Sequence, residues 1–272
     1  MLTEKTFRTE EMTLNYADAP GAGRAAVMLH GLTADWLGFR GLMTELGASW
    51  HPYACDLRGH GKSGRQAGKY RLNDYVRDIV LFLEHVSGPA VLLGHSLGAL
   101  VSLVCGAERP GLVQALVLLD PPVYVRNSPV ATHAGASGLF RWVRDTMRDG
   151  PAFDQVVEAC RLKEPEADES RIQATALRVS RVDPGTVDAA LTDTMGEGVD
   201  FDGVLRKIRC PMLVLKGEWR CGACVREEDA LWLKAMVPSA RIIQIPGGTH
   251  GFLWERAEET ANLIKEFLEE LD

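Results

Sequence analysis

Residues 90–108 read AVLLGHSLGALVSLVCGAE. Four apolar residues run into Gly94-His95-Ser96-Leu97-Gly98, and a second apolar run, rich in Ala and Leu, follows at once. The first run, short and bounded by glycine, predicts a strand over 90–95; the second predicts a helix over 97–108. Ser96 is thereby placed on a sharp strand-to-helix turn. A residue held on such a turn takes a strained backbone, and the glycines at 94 and 98 leave room for neighbouring elements to approach. The helix that follows directs unpaired N–H groups at Ser96, which favours negative charge there.

Working outward, apolar runs at 25–30, 50–56, 115–120, 212–217 and 241–246 read as further strands. Their near-continuous apolar character suits strands covered on both faces, as in a parallel sheet. Helical patterns lie between them: residues 72–86 set Leu72, Val76, Ile79, Val80 and Leu83 on one face, and residues 255–271 are amphipathic. Alternating strand and helix predicts an α/β fold with a doubly wound, mostly parallel sheet and right-handed crossovers. Residues 6–16 alternate and suit an antiparallel hairpin at the sheet edge. Between Asp120 and Met212 no strand pattern occurs. Helical patterns near 137–149, 152–163, 168–180 and 184–194 take its place, more than one crossover needs. The expected division is a core of 1–122 and 201–272 with a helical cap inserted at 123–200.

The chain of 272 residues is long enough for one α/β domain with such an insertion. Its net charge is -7 and it has no basic cluster, which argues against nucleic acid and against an anionic membrane surface. Residues 1–15 lack the apolar core of a signal peptide, and no apolar run is long enough to suggest a membrane span. These features read as a soluble cytoplasmic protein.

A serine hydroxyl is a weak nucleophile until a base takes its proton. His250, in Pro246-Gly247-Gly248-Thr249-His250-Gly251-Phe252, follows the last strand, at the sheet end where α/β proteins place their sites. His95 is a poorer base because it neighbours Ser96, and His51, His85 and His133 sit in no motif. A developing oxyanion needs two donors already in place. The N–H of Leu97 is one candidate. The N–H of Leu32, after His30-Gly31, is the other, with Gly31 letting the backbone approach the substrate.

Taken in chain order, His30-Gly31, Asp56-Leu57-Arg58-Gly59-His60-Gly61-Lys62-Ser63-Gly64, the elbow at 94–98, Leu119-Asp120-Pro121-Pro122 and the Gly-His end around His250 resemble the α/β-hydrolase fold superfamily, in its capped serine-hydrolase (esterase) form. The resemblance covers nearly the whole chain. It implies an eight-stranded sheet, a helical lid, no cofactor, no metal and a Ser-His-acid triad, and it gives the 56–64 segment a structural role in shaping the turn after a strand. The chain departs from the family in one place. The acid usually stands fourth in a G-x-x-D after the strand before last, and here Gly217-Glu218-Trp219-Arg220 puts arginine there. Asp120 is the leading candidate acid, since some family members carry theirs after the preceding strand. Glu218 is the alternative, and Glu227, Glu228 and Asp229 lie further on.

Candidate pocket residues are His30, Gly31 and His95 near the turn, Trp36 with Leu37 and Phe39 beyond the first loop, Phe140, Trp142, Val143 and Met147 in the cap, and Trp219 and Phe252 beside the acid and base loops. For each taken alone, core packing is the first reading and substrate contact the second. Arg126, Arg141, Arg144 and Arg148 would suit a carboxylate or a solvated helix face. Cys221 and Cys224 form a C-x-x-C with no further ligands nearby in sequence, so a structural part is the first reading and redox or metal roles follow it. Cys55, Cys105, Cys160 and Cys210 read as small buried hydrophobes. The expected partner is a small-molecule ester-like substrate, and the expected activity is hydrolysis of a small-to-medium carboxylic ester, lactone or thioester, by a monomer or homodimer. The alternatives are a C–C bond hydrolase, perhydrolase or lyase on the same fold, and a hydrolase-like ligand-binding protein with little turnover.

Overall fold

A computed structural model of the chain describes residues 2–271. Eight strands form one sheet: β1 (Thr3–Arg8), β2 (Thr13–Asp18), β3 (Ala25–Leu29), β4 (His51–Cys55), β5 (Ala90–His95), β6 (Val113–Leu119), β7 (Met212–Lys216) and β8 (Arg241–Gln244). Their order is β1-β2-β4-β3-β5-β6-β7-β8. β1 and β2 are the antiparallel edge pair, β2 also runs antiparallel to β4, and every other pairing is parallel. The doubly wound sheet and the edge hairpin read from the sequence are both present.

The period of two in a strand separates the core into two layers. Ala90 and Leu92 of β5 face one cluster and Val91 and Leu93 the other; Leu116 and Leu118 of β6 divide in the same way from Val117 and Leu119. The first cluster packs against α2 (Leu72–Phe82) and α3 (Leu97–Glu108), and the second against α1 (Arg40–Leu46). Each of these buried Leu and Val side chains contributes about 1.5–3 kcal/mol relative to exposure. Every residue of α3 from Leu97 to Ala107 is buried, which is why its sequence is apolar all round. A Cβ at Gly98 would lie 2.0 Å from the Leu29 carbonyl oxygen, so only glycine lets α3 cross the end of β3.

Between β6 and β7, where no strand was expected, lie α4 (Ala134–Met147), α5 (Phe153–Lys163), α6 (Glu169–Ser180) and α7 (Pro184–Leu191). They share their own apolar cluster, including Val143, Val156, Val179 and Val187. The chain then returns through α8 (Phe201–Lys207), α9 (Glu227–Met236), α10 (Phe252–Glu255) and α11 (Ala257–Glu269). Two helical readings are corrected. The continuous helix expected over 255–271 is interrupted at Arg256, whose φ of -126 separates α10 from α11. The helix expected over 72–86 is α-helical only to Phe82 and ends in a wider π turn, Leu83–Ser87.

The 56–64 segment is a hydrogen-bonded knot. Asp56 accepts from the backbone N–H of Trp36 and of Lys62, and from Asn15 Nδ2, while Ser63 Oγ donates to the Asp56 carbonyl. Buried Arg58 meets Asp78 through two bonds of 2.6 and 2.7 Å. His60 beside it and His30 face each other at 5.0 Å, and both are buried, as is His95. Burial holds their pKa values down, to about 4 for His30 and about 3 for His60 and His95. A histidine whose native pKa is depressed stabilises the fold above its unfolded pKa of 6.5, and that stability is lost as pH falls below it. At pH 5 each costs about 2 kcal/mol relative to pH 7. The melting temperature is therefore expected to drop clearly between pH 7 and pH 5 at constant ionic strength. The buried carboxyls Asp35, Asp56 and Asp78, which desolvation pushes up, act in the opposite sense at lower pH. A flat profile over that interval would contradict the burial of neutral imidazoles.

Candidate active site

Ser96 sits between β5 and α3 with φ 53 and ψ -117, in the left-handed region that an L residue adopts only under constraint. Its N–H donates to the Leu119 carbonyl (3.0 Å), which ties the turn to β6. The β5–β6 register pairs His95 with Leu119, and the β6–β7 register pairs Leu119 with Leu215. Ser96 and Asp120 therefore leave adjacent strands at the same level. Asp120 also has a positive φ, 46, and its N–H bonds to the Leu215 carbonyl (2.8 Å).

The fully buried Asp120 carboxylate meets His250. Nδ1 donates to Oδ2 at 2.6 Å, and the N–H groups of Cys224 (2.7 Å) and Val225 (3.3 Å) supply two further bonds. A carboxylate only accepts, so the pair fixes the proton on Nδ1 and leaves the Nε2 lone pair for use as a base. Burial alone would push the His250 pKa down; the neighbouring Cys224 sulfur and the Asp120 carboxylate reverse this and hold it above 6.5. Glu218, the alternative acid, is used elsewhere. Its carboxylate accepts the Gly247 N–H (2.9 Å) and binds exposed Arg220 (2.8 Å), so it fastens the base loop from below. Of the later acids, buried Asp229 is bound by Arg126 and Arg226, Glu227 pairs with Lys216, and Glu228 pairs with Arg226.

Ser96 and His250 line one cavity of about 250 Å³. Gly31, Leu32 and Leu97 line it too, and neither the Leu32 nor the Leu97 N–H has a protein acceptor among the described residues. A Cβ at Gly31 would come within 2.9 Å of the Ser96 Cβ, so glycine is what brings this loop against the serine. Ser96 Oγ has no protein hydrogen bond among the described residues, and the neighbour of His250 Nε2 is Cys224 Sγ at 3.9 Å.

Of the expected pocket residues, Gly31, His95 and Phe140 line the cavity. His95 does more than was read from its position. Its Nε2 donates to the His250 carbonyl (2.9 Å) and its ring lies 4.6 Å from that of His250, so it braces the base loop. The other expectations are corrected. His30 is buried behind the loop, accepting the Leu57 N–H and donating to the Gly31 carbonyl. Trp36 is core, its indole bonded to Glu4. Trp142 packs beneath the Lys163 ammonium on the inserted helices. Trp219 is half exposed, edge-on to His133. Phe252 is wholly buried under the sheet. Phe39, Val143 and Met147 are likewise core residues. Cys210 is half-buried rather than buried.

The walls come instead from residues the sequence did not single out, Tyr124 and Val125 after β6, Leu139 on α4, Arg178 on α6, Met195 and Trp254, together with Cys224 of the C-x-x-C. The four arginines read as carboxylate candidates are occupied, Arg126 by Asp229, Arg141 by Ser137, and Arg144 and Arg148 by Asp145. Arg178 lines the cavity with no side-chain hydrogen bond or ion pair among the described residues. No local pattern marks it; the packing of α6 against α4 and α5 brings it to the cavity.

A serine on a positive-φ strand-to-helix turn, a histidine held by a strand-end carboxylate and an eight-stranded sheet with helices inserted after β6 define an α/β hydrolase. The chain belongs to the alpha/beta hydrolase family, whose family model matches residues 26–263. It is 27% identical over 268 residues to 2-(acetamidomethylene)succinate hydrolase of Mesorhizobium japonicum, covering 95% of this chain and 92% of that one. It is 26% identical to the pimeloyl-[acyl-carrier protein] methyl ester esterase of Chromobacterium violaceum, covering 93% and 98%. The crystal structure of E-2-(acetamidomethylene)succinate hydrolase superposes with a TM-score of 0.75 at 23% identity over 99% of this chain and 100% of that one, a likeness of fold. No helix among the described residues is long and apolar enough to cross a membrane.

Proposed function

We propose that the chain is a serine hydrolase that cleaves a small-to-medium carboxylic ester through an acyl-enzyme on Ser96. The observation that carries the reading is the Asp120–His250 pair opening onto the same cavity as Ser96. The substrate carbonyl enters between Ser96 and the Leu32 and Leu97 N–H groups. His250 Nε2 takes the hydroxyl proton as Oγ attacks, and the two N–H groups stabilise the oxyanion. The imidazolium, steadied by Asp120, returns the proton to the leaving alcohol. Water then repeats the sequence on the acyl group and frees Ser96. The distance between Ser96 and the base closes on substrate binding, as resting sites are commonly looser than their complexes. In this reading the α4–α7 insertion serves as the lid over the acyl pocket.

The substrate carries a carboxylate. Arg178, an exposed arginine at the cavity wall, has no side-chain hydrogen bond or ion pair among the described residues, and one relative is named for hydrolysis of a succinate derivative. The test is a pair of esters matched in size, a monomethyl dicarboxylate and its neutral methyl analogue. Wild type is expected to prefer the anionic ester in kcat/KM. Arg178→Gln is expected to lower that preference about 10–100-fold, the worth of one charge-assisted hydrogen bond. An unchanged preference in the variant removes Arg178 from recognition. Hydrolysis of neither ester, with turnover of an amide or a C–C substrate, moves the reading to those relatives of the family.

A further inference from the structure

The sequence leaves Cys224 without ligand-forming neighbours, but the fold supplies one. Cys224 stands in the loop between β7 and α9, and its Sγ lies 3.9 Å from His250 Nε2, on the cavity side of the imidazole. On the other side, Nδ1 is held by Asp120. The donor atoms of the three residues lie within 4.8 Å of one another. A divalent ion bonded to a thiolate at about 2.3 Å and to an imidazole nitrogen at about 2.0 Å separates tetrahedral ligands by about 3.6 Å. The resting spacing is a few tenths of an ångström wider. A histidine that binds a metal usually donates its other ring N–H to a carboxylate, which fixes the tautomer and raises its basicity. Asp120 already does this here.

We propose that Cys224 and His250, with Asp120 as outer carboxylate, form a binding site for a thiophilic divalent cation such as Zn²⁺, and that occupation of this site arrests the enzyme. Binding releases the Cys224 thiol proton to solvent and places the cation on the Nε2 lone pair. The remaining coordination positions face the cavity and take water. The metal and the Ser96 hydroxyl proton then compete for the same lone pair. Ligation follows from the geometry alone, whereas arrest rests on His250 being the base, so spectroscopy and kinetics test the two parts separately.

The experiment titrates the purified full chain with Co²⁺ and follows the thiolate-to-cobalt charge-transfer absorption. One equivalent is expected to develop the band in wild type, in Ser96→Ala and in Cys221→Ser. Cys224→Ser and His250→Ala, each checked for a native melting transition, are expected to lose it. Asp120→Asn should keep the band with about 10–100-fold weaker affinity. Zn²⁺ should bleach the band and inhibit hydrolysis reversibly, with a chelator restoring the rate. In Cys224→Ser the inhibition constant, measured against that variant's own metal-free rate, should rise at least about tenfold. No band in folded wild type, or a band that survives in Cys224→Ser, overturns the site. A band with undiminished hydrolysis leaves the site standing and overturns the arrest, and with it the role of His250 as base.

Discussion

Ser96→Ala is expected to lower kcat by about 10⁶ while leaving the fold intact, the loss seen when the nucleophile of a serine triad is removed. The two halves of this expectation come from separate observations. The hydroxyl makes no protein hydrogen bond among the described residues, so removing it leaves no buried partner unsatisfied. Alanine tolerates the positive φ of this turn no worse than serine does, because the strain comes from Cβ. Stability should therefore stay within about 1 kcal/mol of wild type. What remains after the substitution is binding and the free N–H groups of Leu32 and Leu97. Steady-state hydrolysis of the preferred ester, with thermal unfolding alongside, measures both. A loss under about tenfold would show that Ser96 is not the nucleophile.

Asp120→Asn is expected to lower kcat by about 10⁴ with substrate binding retained, as happens when a triad carboxylate becomes an amide. An asparagine with its NH₂ toward His250 keeps its oxygen for the Val225 N–H, while the Cys224 N–H, which bonds the same Oδ2 as His250, loses its acceptor. Its NH₂ then faces His250 Nδ1, which must accept, and the ring proton moves to Nε2 where the base is needed. The pH profile separates this from a structural fault. Activity requires neutral His250, so kcat/KM rises with pH through the His250 pKa of the free enzyme. Asp120 helps hold that pKa above 6.5, which puts the wild-type acid limb above 6.5; removing the carboxylate moves the limb to lower pH. An unshifted limb, or near-wild-type turnover, would remove Asp120 from the triad.

The fold was legible where the chain speaks locally. The AVLL run and the glycines at 94 and 98 marked β5, the turn and α3, because the constraint and the residues that meet it are adjacent in sequence. Asp120 was legible only through its place at the end of a strand. The register between β5 and β6 supplies what sequence spacing cannot, the level at which it meets His250, 130 residues away. Pocket aromatics were the least legible, since an indole suits a core as well as a cavity. Trp36 and Phe252 went to the core, while Trp254 reached the cavity by bonding its indole to the Gly38 carbonyl across the fold. Arg220 at the usual acid position left the triad open on sequence grounds. The structure shows it paired with Glu218 on the surface while Asp120 meets the histidine.

Intact-mass measurement after treatment with a fluorophosphonate tests most directly whether Ser96 is an activated nucleophile. Wild type should gain a single adduct, and Ser96→Ala should gain none. Absence of the adduct on folded wild type, or an adduct that persists in Ser96→Ala, would contradict that role.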